Sequence, residues 1–130
     1  MSILNITSVN ATEDGGQYSC VVVNQAGYDE ATITLNVRPN IIKNPESQRV
    51  APGVNVTLSC RAESFPSPDY RWEKLNTTDM FMTVDGSNSS TLVLSSVDHG
   101  DNGVYRCVAS APGVNGEAFS GNATVTGALL

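Results

Sequence analysis

Few side chains in this sequence are capable of covalent or acid–base chemistry. Cys20, Cys60 and Cys107 are its three cysteines, and His99 is its one histidine. His99 lies among aspartates in the segment SVDHGDNG, and no recognisable motif places a serine or cysteine nucleophile with it. We therefore interpret His99 as a solvated turn residue and predict that the chain is not an enzyme.

Metal and cofactor chemistry are not indicated either. Structural zinc sites need four Cys or His ligands at characteristic spacings, and calcium loops need closely spaced acidic residues. The three cysteines and the histidine fit no zinc spacing, and the acidic residues follow no calcium-loop pattern. We expect no bound metal and no cofactor.

Asparagine-linked glycosylation is the modification that the sequence favours. Asn-Xaa-Ser/Thr acceptors occur six times, whereas chance would give about two in a chain with this many Asn, Ser and Thr residues. We expect some of them to carry glycans, as surface sites of a secreted protein do. The six candidates are Asn5, Asn10, Asn55, Asn76, Asn88 and Asn122.

Charge and hydropathy limit the possible partners. The net charge is −6 and the seven Lys and Arg residues are scattered, so neither nucleic acid nor an anionic membrane is an expected partner. No apolar run reaches the roughly 18 residues of a membrane-spanning helix, and MSILNITSVN lacks the cationic and apolar regions of a signal peptide. We expect no direct membrane insertion and interpret the sequence as a fragment of a longer protein.

Strands must position these residues, because apolar and polar residues alternate along the chain and no segment has helical periodicity. Val54, Val56, Leu58 and Cys60 share one face of a predicted strand, which leaves Asn55 pointing outward. The same alternation predicts strands over residues 70–75, 81–84, 91–97, 104–109 and 117–126. Short strands separated by turns are typical of a β-sandwich.

The two faces of one predicted sheet carry different side chains. On its last strand, Phe119, Ala123 and Val125 are expected on the inner face, across a bulge at Gly121. Its outer face is predicted to form either an exposed mixed-charge ladder or a ligand-binding patch. The outward residues are Arg71, Glu73, Arg106 and Glu117.

A spaced motif occurs twice in the chain. The pattern Asp-x-Gly-x-Tyr-x-Cys begins at Asp14 and again 87 residues later at Asp101. The surrounding strand pattern is repeated with it, so we infer two units of the same kind. We divide the chain into the end of one domain at residues 1–37, a short link at 38–40, a complete domain at 41–126 and a tail at 127–130.

The complete unit resembles an immunoglobulin-superfamily domain of the I-set. The resemblance rests on Cys60, Trp72, Leu92-x-Leu94 and Asp101-x-Gly103-x-Tyr105-x-Cys107. It implies an all-β, Greek-key β-sandwich in which Cys60 and Cys107 form a disulfide between the two layers. It also implies that Trp72 packs against this bridge and that Tyr105 forms a tyrosine corner.

Residues 1–37 resemble strands E, F and G of a preceding domain of the same kind. This resemblance leaves Cys20 unpaired, because its partner position lies upstream of residue 1; an intermolecular bridge is the alternative. Loops at the end of the complete unit that faces these residues are expected to form contacts. The loop residues are Phe65, Pro66, Pro112 and Val114.

The resemblance implies a role in recognition. We expect an extracellular protein–protein interaction module from a tandem immunoglobulin-domain adhesion or matrix protein, secreted or anchored, with cell-surface or matrix proteins as partners, homophilic contacts included. One alternative is a piece of a kinase- or phosphatase-linked receptor ectodomain. A second is a cytosolic, muscle-type structural array, which the excess of glycosylation acceptors and the cysteine pair disfavour.

Overall fold

The computed structural model describes residues 3–6 and 10–127. Strands dominate, as the alternation predicts, and the helical elements are α1 (Ala11–Asp14) and a 3₁₀ turn (His99–Asp101). None of the helices in this described part has the length and apolar character needed to cross a bilayer. The strands are β1 (Gly16–Asn24), β2 (Gly27–Leu35), β3 (Val37–Lys43), β4 (Gln48–Arg49), β5 (Val56–Ser59), β6 (Arg61–Phe65), β7 (Asp69–Leu75), β8 (Phe81–Thr83), β9 (Thr91–Leu94), β10 (Gly103–Ser110), β11 (Glu117–Phe119) and β12 (Ala123–Thr126).

From β3 onward the strands form a two-layer sandwich. One layer has the order β4-β12-β10-β7-β8, and β11 also pairs with β10. The other layer consists of β3 paired with β6 and β5 paired with β9, and β5 runs into β6 through Cys60. Apart from the parallel β4–β12 pair, neighbouring strands are antiparallel.

The core lies between these layers and consists of the side chains that point inward from the strands of both layers. Full burial of each large apolar side chain contributes roughly 1.5–3 kcal/mol. Val54 was expected to belong to this set but is 45% exposed, because β5 begins only at Val56. The buried cluster comprises Val56, Leu58, Cys60, Trp72, Leu92, Val97, Tyr105, Cys107, Ala123 and Val125.

The predicted link at residues 38–40 lies inside a strand. β3 runs from Val37 to Lys43 and pairs with β6, with Val37 opposite Phe65 and Asn40 opposite Glu63. The pairing shifts between Val37 and Asn40, so that Pro39 occupies an irregular stretch. Proline has no N–H to donate to a strand ladder, and such a stretch accommodates it. The break between strands is therefore at residue 36.

The first unit contains a hairpin with an uncovered face. β1 and β2 pair from Gly16 opposite Leu35 to Asn24 opposite Gly27. The first of the three strands that the resemblance implies for residues 1–37 was expected around Leu4 and Ile6, but residues 3–6 adopt no strand and no described strand pairs with them. An open groove of about 500 Å³ lies against the hairpin. Its lining is Ile3, Leu4, Ile6, Tyr18, Ser19, Cys20, Ala31, Thr32, Ile33 and Leu35.

Candidate interaction surface

The two layers of the sandwich are joined covalently. Cys60 and Cys107 form a disulfide with their Cα atoms 6.3 Å apart, which is the predicted bridge. Trp72 lies opposite Cys107 in the β7–β10 pairing and is fully buried, and its Nε1 donates a 2.8 Å hydrogen bond to the carbonyl oxygen of Ser89. Burial of the indole therefore leaves no polar atom unsatisfied. In the chain-entropy account, a bridge over this separation stabilises the fold by about 4 kcal/mol.

Tyr105 ties the start of β10 to the preceding turn. Its hydroxyl donates a 2.6 Å hydrogen bond to the carbonyl oxygen of Asp101, and the side chain is almost fully buried. Burial, reinforced by the negative charge of Asp101, raises the pKa of Tyr105 to about 12. Gly103 sits in this corner with φ of 152°, and a Cβ there would lie 2.9 Å from Cε of Lys74. The backbone conformation thus favours glycine, whereas the end of the Lys74 side chain can move aside.

The outer face of the six-stranded layer carries an arginine between two aromatic rings. The guanidinium carbon of Arg106 lies 3.8 Å from the ring centroid of Phe81 and 4.5 Å from that of Phe119. Its Nε and one terminal nitrogen are each 2.8 Å from Oε1 of Glu73. Glu73 is only 8% exposed, and a carboxylate with so little contact with water needs a partner of opposite charge. Arg106 is that partner, and the two rings hold its guanidinium in place from both sides.

Arg71 extends this network to the edge of the sheet. It contacts Glu73 at 3.4 Å and forms a two-pronged pair with Glu117 on β11. The hydrogen bonds between Arg71 and Glu117 are the main reason that the pKa of Arg71 is raised and that of Glu117 is lowered. Both side chains remain about one third exposed, so this pair contributes little to stability. We use the term outer face for Arg71, Glu73, Phe81, Arg106, Glu117 and Phe119.

Phe119 belongs to this outer face, and its predicted inward position is wrong. Val108 lies opposite Phe119, whereas Tyr105 lies opposite Ala123. Between these two pairs the chain advances by three residues on β10 but by four residues from β11 to β12. The extra residue makes a bulge between β11 and β12, as predicted around Gly121, but it also reverses which face the side chains occupy. Phe119 is consequently 50% exposed while Ala123 is buried.

The remaining predicted contact residues lie at one end of the sandwich. Phe65 is the last residue of β6 and is half-buried opposite Val37, so it belongs to a strand end and not to the tip of a loop. α1 packs near β6 at this end, which brings the first unit against the second. The other three loop residues differ in exposure, since Pro66 and Val114 are half-buried and Pro112 is exposed.

The six glycosylation candidates are all exposed in the structure. Asn55 accepts a 2.9 Å hydrogen bond from the backbone N–H of Ser96 through its side-chain oxygen. Asn76 accepts hydrogen bonds in the same way from the backbone N–H and the hydroxyl of Thr78, at 2.9 and 2.7 Å. A glycan is attached to asparagine through the amide nitrogen, and in both residues these bonds leave that nitrogen available. Their use remains a prediction.

Cys20 and His99, two of the reactive side chains considered first, lie on different elements of the structure. Cys20 is a free, exposed cysteine on β1, and His99 is an exposed residue of the 3₁₀ turn. Across the described ranges 3–6 and 10–127, no three His, Cys, Asp or Glu residues form a group that could hold a metal ion. Arg71, Glu73 and Arg106 were predicted to face outward, but the stacking of Arg106 between Phe81 and Phe119 was not, because it depends on which strands become neighbours.

Comparison with known proteins agrees with this architecture. Residues 38–111 match the profile of the immunoglobulin domain family. The chain is 34% identical over 113 residues to neural cell adhesion molecule L1 of Takifugu rubripes, covering 82% of this chain and 9% of that protein. It is 37% identical over 112 residues to mouse hemicentin-2, covering 82% of this chain and 2% of that protein. The chain thus spans a small part of these relatives.

A solved structure supports the same conclusion at the level of the fold. The crystal structure of Dpr11 IG1 bound to DIP-gamma IG+IG2 superposes with a TM-score of 0.64 and 25% identity, covering 93% of this chain and 63% of that one. The disulfide between layers, the buried tryptophan and the tyrosine corner supply the local features that this superposition requires. This chain belongs to the immunoglobulin superfamily.

Proposed function

We propose that this chain is an extracellular protein–protein interaction module from a tandem immunoglobulin-domain protein of the adhesion or matrix type, acting by binding and without catalysis. The observation that carries the proposal is the disulfide between Cys60 and Cys107. Such a bond persists in oxidising compartments and is rare in the cytosol. The exposure of all six glycosylation candidates is a second observation that supports an extracellular location.

The tandem arrangement is part of this proposal. We assign residues 1–37 to the end of a preceding immunoglobulin-like domain and residues 41–126 to a complete one of the I-set. Two features support the assignment. Tyr18 donates its hydroxyl to the carbonyl oxygen of Asp14, as Tyr105 does to that of Asp101. The uncovered groove against the β1–β2 hairpin is apolar, as expected where a second layer of strands would pack.

Such a module recognises its partners by holding binding faces in fixed positions. Rigid β domains with little chain between them hold binding faces at a fixed spacing, and weak contacts along the array add through avidity. We expect the partners to be proteins of the cell surface or the matrix. No role in binding nucleic acid, metal or cofactor is part of the proposal.

Secretion of the full chain from a glycosylating host tests the proposal. Peptide mapping without reduction should find Cys60 joined to Cys107, and enzymatic deglycosylation should release mass from some of the six asparagine peptides. The secreted chain displayed on beads should bind cell surfaces or other beads. Free thiols at both cysteines, or no glycan at any acceptor, would contradict an extracellular role. Absence of any binding in the multivalent format would contradict the interaction role.

A further inference from the structure

We propose that Asn115 is a site of spontaneous deamidation in the folded chain and that the fold protects Asn102 from the same reaction. The dipeptide Asn-Gly occurs twice in the sequence, as Asn102-Gly103 and as Asn115-Gly116. Asparagine is among the chemically labile residues, and a following glycine favours the reaction because it has no Cβ to obstruct the approach of its own backbone nitrogen. The reaction needs water and no partner, so its test is independent of the proposed function.

Deamidation proceeds through a ring that two adjacent residues form. The backbone nitrogen of Gly116 loses its proton to solvent and attacks Cγ of Asn115, which closes a succinimide, and the side-chain nitrogen takes up a proton and leaves as ammonia. Water then opens the ring at one of its two carbonyl carbons. Cleavage of the new bond at Cγ yields aspartate, whereas cleavage of the original peptide bond yields isoaspartate, in which the chain continues through the side chain. The net reaction converts one amide and one water into one carboxylic acid and one ammonia.

Asn115 lies in a loop that leaves both reacting groups accessible. The loop connects β10 to β11, and Asn115 and Gly116 are exposed and belong to no strand. A turn earlier in the loop is closed by the N–H of Val114, which donates a 3.1 Å hydrogen bond to the carbonyl oxygen of Ala111. Among the residues that the structure describes, none forms a hydrogen bond with the Asn115 side chain or with the N–H of Gly116. Ring closure therefore breaks no hydrogen bond of the fold.

Gly116 also has room to move. Its φ of 97° lies in the left-handed region, which glycine adopts without strain. Apart from its chain neighbours, no atom lies within 4 Å of the position that a Cβ would take. The backbone nitrogen can thus turn towards the side-chain amide of Asn115 without a collision.

Asn102 lies at the tyrosine corner, where the backbone is fixed on both sides. Its N–H donates a 3.3 Å hydrogen bond to the carbonyl oxygen of His99, and the preceding Asp101 accepts the bond from Tyr105. Gly103 is the first residue of β10 and is paired with β12. Succinimide formation needs the peptide between Asn102 and Gly103 to rotate, so the corner must first open. The same dipeptide is therefore protected here.

Deamidation at Asn115 changes the rim of the outer face. It adds one negative charge two residues before Glu117, which pairs with Arg71, in a chain whose net charge is already −6. Isoaspartate also adds one carbon to the backbone just before β11, the short strand that carries Phe119. The outer face therefore changes with the age of the molecule.

Peptide mapping of the full chain tests the proposal. The folded chain, with its disulfide intact, is kept at physiological pH and temperature, and samples taken over time are reduced and digested with trypsin. Cleavage after Arg106 places the two sites on different peptides. Conversion at Asn115 should be faster than at Asn102 by at least about tenfold, because only Asn102 requires the fold to open first. Fragmentation assigns each mass gain to its residue and separates it from the conversion of glycosylated asparagines during enzymatic deglycosylation.

The same chain unfolded in urea is the internal control, in which both sites are equally exposed and should convert at similar rates. Asn115→Gln should abolish conversion at that position in the folded chain, because the longer side chain does not close a five-membered ring. Tyr105→Phe should accelerate conversion of Asn102 without changing Asn115, because it removes a bond that holds the corner. Tyr28→Phe, at a 73% exposed position, should change neither site.

Several results would overturn the proposal. Equal conversion of Asn102 and Asn115 in the folded chain would show that the fold does not discriminate between them. An Asn115 that converts in urea but not in the folded chain would show that the loop is not open to the reaction. A preference for Asn115 that is as large in urea as in the folded chain would assign it to the neighbouring residues. Conversion of Asn102 that stays slow in Tyr105→Phe would show that the corner bond does not protect it.

Discussion

The hydroxyl of Tyr105 donates a 2.6 Å hydrogen bond to the backbone carbonyl oxygen of Asp101. Tyr18 makes the equivalent bond to Asp14, which explains why the Asp-x-Gly-x-Tyr-x-Cys pattern occurs twice. In both places the tyrosine reaches back four residues to the turn that precedes its strand. The motif therefore encodes one local structure, in which a tyrosine near the start of a strand is hydrogen-bonded to the turn that precedes that strand.

Removing this hydroxyl should destabilise the sandwich. Tyr105→Phe leaves the carbonyl of Asp101 without its buried donor, and we expect a loss of about 1–2 kcal/mol in the free energy of unfolding. Urea denaturation followed by Trp72 fluorescence measures it. Tyr28→Phe is the control, because Tyr28 is 73% exposed and its hydroxyl should contribute nothing measurable. Equal stability of the two variants would mean that the corner bond is energetically neutral.

Stability should also fall at high pH because of the same tyrosine. The pKa of Tyr105 is raised to about 12 by burial and by Asp101, whereas an unfolded tyrosine titrates near pH 10. The folded state thus retains the phenolic proton that the unfolded state loses, so this contribution is complete below about pH 10 and declines between pH 10 and 12. The difference in unfolding free energy between wild type and Tyr105→Phe should shrink across this range. A constant difference would show that Tyr105 titrates normally.

Trp72 is the largest side chain in the core. Trp72→Ala should lower the free energy of unfolding by about 3–5 kcal/mol, because it leaves a cavity beside the disulfide between the layers. Calorimetric melting of the variant and wild type checks this. Val93→Ala on β9 is the matched control at a 55% exposed position, where a loss below about 0.5 kcal/mol is expected. A small loss at Trp72 would mean that the layers close over the missing indole.

Arg106 should matter more to stability than an ordinary surface arginine. Arg106→Ala leaves the poorly exposed Glu73 with only the 3.4 Å contact to Arg71, and we expect a loss of about 1–3 kcal/mol. Arg61→Ala, which breaks an exposed 4.0 Å pair, should lose less than about 0.5 kcal/mol. The double variant Arg106→Ala with Glu73→Gln should recover part of the loss, since the uncompensated charge is then absent. Failure to recover would assign the loss to the ring stacking.

Local patterns in the sequence were sufficient for much of the fold. Alternation predicted β5, β7, β8, β9 and β10 and placed Trp72 inward, and that position depends only on the two-residue period of a strand. The family resemblance carried by Cys60, Trp72 and Cys107 implied the bridge between layers that the structure contains. Alternation also predicted a bulge near Gly121, but it could not say that the extra residue would turn Phe119 outward.

What the sequence by itself determined is therefore most of the sandwich strands, the layer-joining disulfide implied by the family resemblance, and the outward position of Arg71, Glu73 and Arg106. Tertiary structure alone decided that Arg106 lies between Phe81 and Phe119, with Glu73 buried beneath it. The physical reason is that these side chains come from four strands, β7, β8, β10 and β11. Strand order and one bulge bring them together, and neither is expressed in the period of any single strand.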